Sequence, residues 1–557
     1  MISPLSPPAT LTLLSLALYG TVAALPSPFL PYNRPRYDGR RSSISSSKFH
    51  STVTAGNGNG NGNGTTTNKI TWGPCPDSFP NATNVHCGTI QVPLDWEADS
   101  SNETISLGLL RLAAADQSKR IGPLFVNPGG PGGQATDLAA SLAAAAQAPP
   151  GELDPALTLI IEHFDIIGLD PRGVGLSTPV RCDAAVWNER VSLFPQTQDG
   201  FDALVKHNQA VAKSCREQTG RLLDYVDTIS AARDHEAVRL ALGGDSDEKA
   251  SFLGLSYATQ LFTQYAQLYP DGIRAMVLDG NLQHSQAEAT NLLIESTTYE
   301  TTLKQFFTWA SQNNESALFG ADPQQTWLDV LAKATDDGPI PAPGCDDGPA
   351  TGCRSDATEE EIRFNAQGLL IKVSSGWPML AQALVEAKAG NATLLSQAQP
   401  IALGGSGDNA YTDSYLLGGN AIQCQDWTHG GPDFALAGLR QKAQLGDIFA
   451  PLTRGASQSY SIQTRCIGWP VEPRNPPRPV AYEGEATLLL VNSIYDPSTS
   501  YTWALGLQSE LGYNNTVLLT RNGAGHTTFF VGGETALAEA NYLVDLTLPE
   551  PGTTLDE

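Results

Sequence analysis

The stretch Phe252-Leu253-Gly254-Leu255-Ser256-Tyr257-Ala258 places a serine where a strand pattern changes into a helix pattern. The residues before it, Ala250–Leu253, are small or apolar and predict a buried strand. Those after it, Thr259–Leu268, have the apolar spacing of an amphipathic helix. Small residues lie two positions before and two positions after Ser256, as the tight turn of a nucleophile elbow requires. Because Gly-x-Ser-x-small also occurs by chance, this interpretation depends on other segments.

Three other segments have the form that serine hydrolysis requires. Leu124–Gly133 is an apolar strand followed by a glycine turn, which can direct backbone N–H groups at a developing oxyanion. Thr487–Pro497 is a strand pattern that ends in Asp496. Val517–Thr520 is a further strand pattern, followed by a glycine-containing loop that presents His526. The order serine, aspartate, histidine along the chain is that of the α/β-hydrolases and differs from the chymotrypsin and subtilisin orders.

These motifs resemble the tripeptidyl aminopeptidase and prolyl aminopeptidase branch of the α/β-hydrolases over roughly Ile70–Leu548. The C-terminal segment resembles the one typical of tripeptidyl aminopeptidases. Ala258 departs from the family, which usually has glycine there, and Gln134-Ala135 replaces a frequent Ser-Gly. The resemblance rests on the elbow and on Asn127-Pro128-Gly129-Gly130-Pro131-Gly132, Phe164-Asp165-Ile166-Ile167-Gly168-Leu169-Asp170-Pro171-Arg172-Gly173-Val174-Gly175-Leu176-Ser177, Val277-Leu278-Asp279-Gly280 and the Asp496 and His526 loops.

The chemistry assigns a role to each residue of the predicted triad. Ser256 is the nucleophile, His526 the base that takes its proton, and Asp496 the acid that holds the imidazole in one tautomer. The alternatives are a helix-capping serine and a turn aspartate before Pro497. Asp279, at the end of another predicted strand, is a rival acid, and the resemblance favours Asp496.

The backbone N–H groups of Gly130 and Tyr257 are the expected oxyanion donors. The glycine turn after Asn127 is not a nucleotide site, because no Gly-Lys-Ser/Thr and no Gly-x-Gly-x-x-Gly with a ribose-binding acid follows. No Cys-x-x-Cys zinc pattern occurs, so we expect neither a metal nor a cofactor. An aminopeptidase also has to bind a free α-ammonium group. Asp426, in Ala421–Trp427, matches an acidic position of the family and is the candidate for that role, with a helix cap as the alternative.

Composition indicates an acidic globular protein. The chain has 557 residues, 41% of them apolar, and a formal charge of −25, which argues against binding to nucleic acid or to anionic membranes. Strand patterns alternating with helix patterns predict a mostly parallel, eight-stranded sheet, and the resemblance implies that it is an α/β-hydrolase fold. The long interval between Ser256 and Asp496 predicts a large, mainly helical lid insertion. We expect a signal peptide at 1–24, a disordered tail or pro-segment at 25–68, a first core part at 69–283, the lid at 284–481 and a second core part at 482–557.

Several features predict secretion. The apolar run Leu11–Ala24 is short and ends in small residues, as in a signal peptide, with a membrane anchor as the alternative. The number of cysteines is even, and their spacing favours pairing of neighbours: Cys75 with Cys87, Cys182 with Cys215, Cys345 with Cys353 and Cys424 with Cys466. The resemblance supports the second and fourth pairs. Glycosylation sequons occur at Asn63, Asn81, Asn102, Asn314, Asn391 and Asn514.

The sequence therefore predicts a secreted, monomeric serine hydrolase that removes short peptides or single residues from free N-termini through an acyl-enzyme. The alternative is an esterase or other acyl hydrolase acting on small or secondary-metabolite substrates, because ester cleavage uses the same triad. A catalytically inactive binding module on this fold is a third interpretation, and the intact set Ser256, Asp496 and His526 counts against it.

Overall fold

Ten of the strands form one large sheet. The computed structural model describes residues 69–80, 82–98, 103–149, 151–244, 247–345, 353–396 and 414–556, all within one compact unit, 60–557. The predicted signal peptide, the tail and the sequons Asn63, Asn81 and Asn102 lie outside the described residues. The strands are β1 (Thr71–Gly73), β2 (Val85–Pro93), β3 (Thr104–Leu112), β4 (Gly122–Asn127), β5 (Phe164–Leu169), β6 (Ala250–Leu255), β7 (Ile273–Asp279), the two-residue β8 (Ile340–Pro341) and β9 (Asp356–Ala357), β10 (Leu488–Tyr495), β11 (Thr516–Ala524) and β12 (Thr554–Asp556).

The order of the large sheet is β1-β2-β3-β5-β4-β6-β7-β10-β11-β12, and β8 pairs only with β9. The first three pairings, β1–β2, β2–β3 and β3–β5, are antiparallel, and the other six are parallel. The sheet is thus mostly parallel, as expected, but it has ten strands rather than eight. The two additional strands are the three-residue edge strands β1 and β12, too short to have a visible alternation in the sequence.

Helices cover both faces of the sheet. Side chains alternate along each strand, so Phe125 and Phe252 point to one face while Leu124 and Leu253 point to the other. The helices are α1 (Ala135–Ala145), α2 (Pro155–His163), α3 (Ala184–Trp187), α4 (Gln198–Thr219), α5 (Thr228–Gly243), α6 (Ala258–Leu268), α7 (Glu288–Gln312), α8 (Pro323–Asp336), α9 (Glu359–Leu370), α10 (Val373–Lys388), α11 (Thr393–Ser396), α12 (Ser414–Asp426), α13 (Leu436–Phe449), α14 (Gln458–Arg465), α15 (Tyr501–Leu511) and α16 (Gly533–Asp545).

Three of these helices, α1, α2 and α16, pack on the Leu124 face, while α5, α6 and α15 pack on the Phe125 face. Since both faces are covered, every residue of β4, β5 and β6 is buried. The strands that carry the predicted nucleophile and oxyanion turn therefore lie side by side at the centre of the molecule.

The lid segment, 284–481, enters between β7 and β10 and contains α7 to α14. Four of its helices, α7 to α10, form an apolar core of their own around Phe306, Trp327 and Trp377. The stretch 359–388 has a helical pattern throughout, but the structure breaks it at Ile371 and Lys372, between α9 and α10. The break frees the carbonyl of Ile371 to accept the backbone N–H of His526 at 2.9 Å.

All eight cysteines are paired, in the order that their spacing predicts: Cys75–Cys87, Cys182–Cys215, Cys345–Cys353 and Cys424–Cys466. Of the described sequons, Asn314 and Asn514 are exposed and Asn391 is partly buried. Within the described ranges, no helix has the length and the apolar character needed to cross a membrane.

Candidate active site

Ser256 occupies a strained turn between β6 and α6. Its φ is +59°, a left-handed conformation that is rare for residues other than glycine. Its N–H donates to the carbonyl of Asp279 at 2.9 Å, and its carbonyl accepts the N–H of Thr259 at 2.8 Å. A side chain at Gly254 would lie 2.6 Å from the ring of Phe262, so only glycine fits there. These contacts fix the backbone while leaving the Ser256 side chain partly exposed.

The glycine turn after β4 lies directly against this elbow. Gly129 has φ +85°, and a Cβ atom on it would lie 2.9 Å from the Tyr257 nitrogen and 3.0 Å from the Ser256 Cβ. The turn is held by Asn127, whose Oδ1 accepts the Gly129 N–H at 2.9 Å. The N–H groups of Gly130 and Tyr257 have no acceptor in the part of the chain that the structure describes. Two free donors thus lie in segments that contact the predicted nucleophile, which is the arrangement that an oxyanion hole requires.

Asp496 follows β10 directly, is fully buried and binds His526. Its Oδ2 accepts from His526 Nδ1 at 2.8 Å and from Thr499 Oγ1 at 2.8 Å. Its Oδ1 accepts the N–H groups of Ser498 and Thr499, both at 2.8 Å. Such a set of donors stabilises the ionised carboxylate and aims it at the imidazole. With Nδ1 donating to Asp496, the neutral ring of His526 keeps a lone pair on Nε2 for a proton.

The environment of His526 favours its charged form. Burial disfavours the imidazolium, but the attraction of Asp496 and its hydrogen bond, with smaller contributions from Asp279 and Glu295, outweighs it. The pKa of His526 is therefore raised above its ordinary value. The ring is held closely, since a Cβ atom on Gly280 would lie 3.4 Å from His526 Cε1.

Asp279, the rival acid, does not bind His526. Its Oδ2 accepts the N–H groups of Thr528 at 2.7 Å and Phe529 at 2.9 Å. The carboxylate that hydrogen-bonds the imidazole is that of Asp496, and Asp279 binds the loop that follows His526.

Asp426, the candidate for binding a substrate ammonium group, is buried and hydrogen-bonded within the protein. Its side chain is 1% exposed and lies between α12 and the core. Oδ1 accepts from Thr228 N at 3.0 Å and Asn475 Nδ2 at 2.9 Å, and Oδ2 accepts from Gln260 Nε2 at 3.0 Å and from Thr228 Oγ1. Burial raises its pKa to about 7. Because both oxygens already accept two hydrogen bonds from the protein, Asp426 joins the lid to the core and has no free oxygen for a ligand.

The lid also contacts the loops that carry the acid and the base. Beside the bond from His526 to Ile371, Gln367 Nε2 donates to the Pro497 carbonyl and to Glu295 Oε1, both at 2.9 Å. Burial raises the pKa of Glu295 to about 7. The sequence did not predict a role for Gln367 or Glu295. The one feature that could have indicated it is a polar residue at a buried position of a helix, α9 for Gln367 and α7 for Glu295.

Comparison with known proteins agrees with this arrangement. The family model described as "alpha/beta hydrolase fold" matches residues 122–353, and the one described as "TAP-like protein" matches residues 450–555. A protein named serine protease Hip1, from Mycobacterium tuberculosis, is 26% identical over 502 residues, 87% of this chain and 90% of that protein. A carboxylesterase B from the same organism is 29% identical over 490 residues, 86% of this chain and 88% of that protein.

A tripeptidyl aminopeptidase from Streptomyces lividans is 27% identical over 467 residues, 82% of this chain and 80% of that protein. The first match begins at β4 and spans the elbow, and the second spans the Asp496 and His526 loops. The first match therefore includes Ser256 and the glycine turn, and the second includes Asp496 and His526. The chain has the α/β-hydrolase fold, and its sequence resembles the tripeptidyl aminopeptidase branch of that family.

Proposed function

We propose that this protein is a secreted serine aminopeptidase that releases short peptides or single residues from free N-termini through an acyl-enzyme. The observation that carries the proposal is the bond from His526 to the buried Asp496, in a chain whose elbow holds Ser256 in a strained turn. Relatives named tripeptidyl aminopeptidase and serine protease support peptides as substrates.

In the proposed mechanism, Ser256 Oγ attacks the scissile carbonyl carbon while His526 Nε2 takes the hydroxyl proton. The carbonyl oxygen becomes an oxyanion and accepts the N–H groups of Gly130 and Tyr257. When the C–N bond breaks, the imidazolium gives its proton to the leaving amine, and the acyl group stays on Ser256. Water then attacks the ester, with His526 again as base, and the peptide acid leaves. Asp496 stabilises the imidazolium at both stages without being protonated.

Secretion is supported by chemistry beyond the N-terminal segment. Four disulfides and no free cysteine occur in the described chain. Such bonds persist in oxidising compartments and are rare in the reducing cytosol. N-terminal sequencing of the protein recovered from the culture medium tests this part: cleavage near Ala24 is expected, and an intact Met1 would contradict it.

An esterase is the second candidate, and two observations favour it. The carboxylesterase B is 29% identical over 86% of this chain, and the triad described here serves either reaction. The structure also leaves no free oxygen on Asp426, so the ammonium group of a peptide substrate needs another acceptor.

The test compares three substrates: a tripeptide p-nitroanilide with a free N-terminus, its N-acetylated twin and a p-nitrophenyl ester. Ser256→Ala serves as the blank, and Ser118→Ala, at an exposed serine, is the matched control. Cleavage of the free-amine peptide with little cleavage of the acetylated one supports the aminopeptidase. Cleavage of the ester alone would replace it with the acyl hydrolase, and activity retained by Ser256→Ala would overturn the mechanism.

A further inference from the structure

Asp279 connects the nucleophile and the base. It ends β7, the strand that lies between β6 and β10 in the sheet. Its backbone carbonyl accepts the Ser256 N–H at 2.9 Å, while its side chain accepts the N–H groups of Thr528 and Phe529. One fully buried residue therefore binds the elbow through its main chain and the loop after His526 through its carboxylate.

The loop that carries His526 has a conformation that needs such support. Thr527, next to His526, has φ +61°, in the left-handed region that costs a residue with a branched Cβ. Thr528 is fully buried and is held twice. Its N–H donates to Asp279, and its hydroxyl donates to Glu539 Oε1 of α16 at 2.6 Å.

Asp279 and Glu539 thus meet at Thr528, and both are fully buried. Among the described residues, Asp279 Oδ1 and Glu539 Oε2 have no hydrogen-bond partner. Two buried carboxyl groups that share a site do not both ionise, so one proton stays with the pair. Burial raises the pKa of Asp279 to about 6, and burial followed by the charge of Asp279 raises the pKa of Glu539 well above its ordinary value.

We propose that Asp279 is a positioning residue for His526, whose buried carboxylate fixes the Thr527–Phe529 loop and places one negative charge behind the imidazole, while Glu539 holds the proton of the pair. This inference rests on the proposed triad mechanism. The groups that act on His526 are Asp496, Asp279 and Glu295. The charges of His526 and Asp496 act on Asp279. The charge of Arg521 acts on Glu539.

The test measures the rate at which a fluorophosphonate labels Ser256, as a function of pH. In this reaction Ser256 Oγ bonds to phosphorus and fluoride leaves, so the readout does not depend on whether the natural substrate is a peptide or an ester. The variants are Asp279→Asn, Asp279→Ala and Glu539→Gln. Asp271→Asn, at an exposed aspartate just before the other end of β7, is the matched control. Circular dichroism and thermal melts confirm that each variant is folded.

Asp279→Asn keeps an oxygen for the two N–H groups but removes the charge, so the acid limb is expected to move to lower pH by roughly half a unit or more. Asp279→Ala also removes the acceptor of the Thr528 and Phe529 N–H groups, so His526 should be displaced. A displaced base should lower the labelling rate by on the order of 10²-fold. Glu539→Gln keeps an acceptor for Thr528 and removes only a proton-bearing oxygen, so its acid limb stays at the wild-type position.

The outcomes separate this inference from the proposed function. If the wild-type protein is not labelled, the triad mechanism fails. If it is labelled and both Asp279 variants match the wild type in rate and in pH profile, the positioning role fails while the triad stands. A shift of the acid limb in Glu539→Gln equal to that in Asp279→Asn would overturn the assignment of the proton to Glu539.

Discussion

His526 has to be neutral to accept a proton from Ser256, so the pH dependence of activity reports its ionisation. Burial lowers its pKa, but the hydrogen-bonded Asp496 raises it by more, so the pKa of His526 lies above its ordinary value. Activity is therefore expected to fall as pH falls through that raised pKa, and kcat/KM should have an acid limb with a midpoint above the ordinary value. A rate profile on any cleaved substrate measures it. A profile that stays flat down to about pH 4 would contradict the assignment of His526 as base.

Asp426 illustrates how a buried carboxylate differs from a ligand-binding one. Asp426→Ala would leave the N–H of Thr228 and the side-chain amide of Gln260 without an acceptor, at about 1–3 kcal/mol for each buried group left unpaired. It would also remove one of the two hydrogen bonds that Asn475 Nδ2 donates. A thermal melt is expected to show a Tm lower by several degrees, while KM for a free-amine peptide stays within about 2-fold. Asp433→Ala, at an exposed lid position, is the matched control. A large rise in KM for free-amine peptides alone, at unchanged Tm, would restore the ammonium-binding role.

Two disulfides of the lid differ in the length of chain that they close. Cys424–Cys466 joins the end of α12 to the residue after α14 across a separation of 42 residues, whereas Cys345–Cys353 closes 8. Loop entropy assigns about 4 kcal/mol to the first and about 2.5 kcal/mol to the second. Replacing Cys424 and Cys466 by serine should therefore lower the Tm more than replacing Cys345 and Cys353. Equal losses, or the reverse order, would show that local packing decides instead.

The lid contacts the loops of Asp496 and His526 from outside the sheet, so it should support the proposed triad. The break between α9 and α10 supplies the Ile371 carbonyl to His526, and Gln367 binds the carbonyl of Pro497. Gln367→Ala removes the second contact and is expected to lower kcat severalfold. The fraction of Ser256 that excess fluorophosphonate labels at completion should change little. Gln382→Ala, on the exposed face of α10, is the control. Equal kcat values in the two variants would contradict a supporting role of the lid.

The stability of the whole protein should depend on its buried carboxyl groups. Burial raises the pKa of Asp170, Glu295 and Asp426 to about 7, above the ordinary range near 4. The folded state therefore binds protons that the unfolded chain has released, and the stability this contributes is lost as pH rises from about 4 through about 7. Burial lowers the pKa of His284 to about 4. This histidine therefore lowers the stability of the folded state as pH falls below the ordinary histidine pKa.

The formal charge of −25 adds repulsion at high pH, in the same direction as the buried carboxyl groups. The Tm is expected to rise on going from about pH 8 to about pH 5.5, measured by differential scanning fluorimetry at constant ionic strength. Repeating the series at high salt separates general charge repulsion, which salt screens, from the buried groups, which it screens far less. A Tm that falls over this range would contradict the prediction.

Much of the fold was predictable because its signals are local. The central strands are short apolar runs bounded by turns, and β4, β6, β10 and β11 begin within two residues of the stretches predicted for them. β1 and β12 have only three residues each, and pairing with a neighbour, not pattern, makes them strands. The helical pattern across 359–388 continues through the break at Ile371, where the carbonyl accepts the His526 N–H from a distant part of the chain.

The sequence by itself determined the chemistry-bearing positions: a serine between strand and helix, an aspartate and a histidine at strand ends, and a glycine turn, in one order along the chain. These positions depend on short-range backbone preferences and on residue types, and both can be read from the sequence. Only the tertiary structure decided which carboxylate serves which purpose. Asp279 and Asp426 accept hydrogen bonds from distant segments, whereas Asp496 accepts from the neighbouring Ser498 and Thr499 as well as from the distant His526. Burial and hydrogen bonding set the role of a carboxylate, and both are properties of the folded chain.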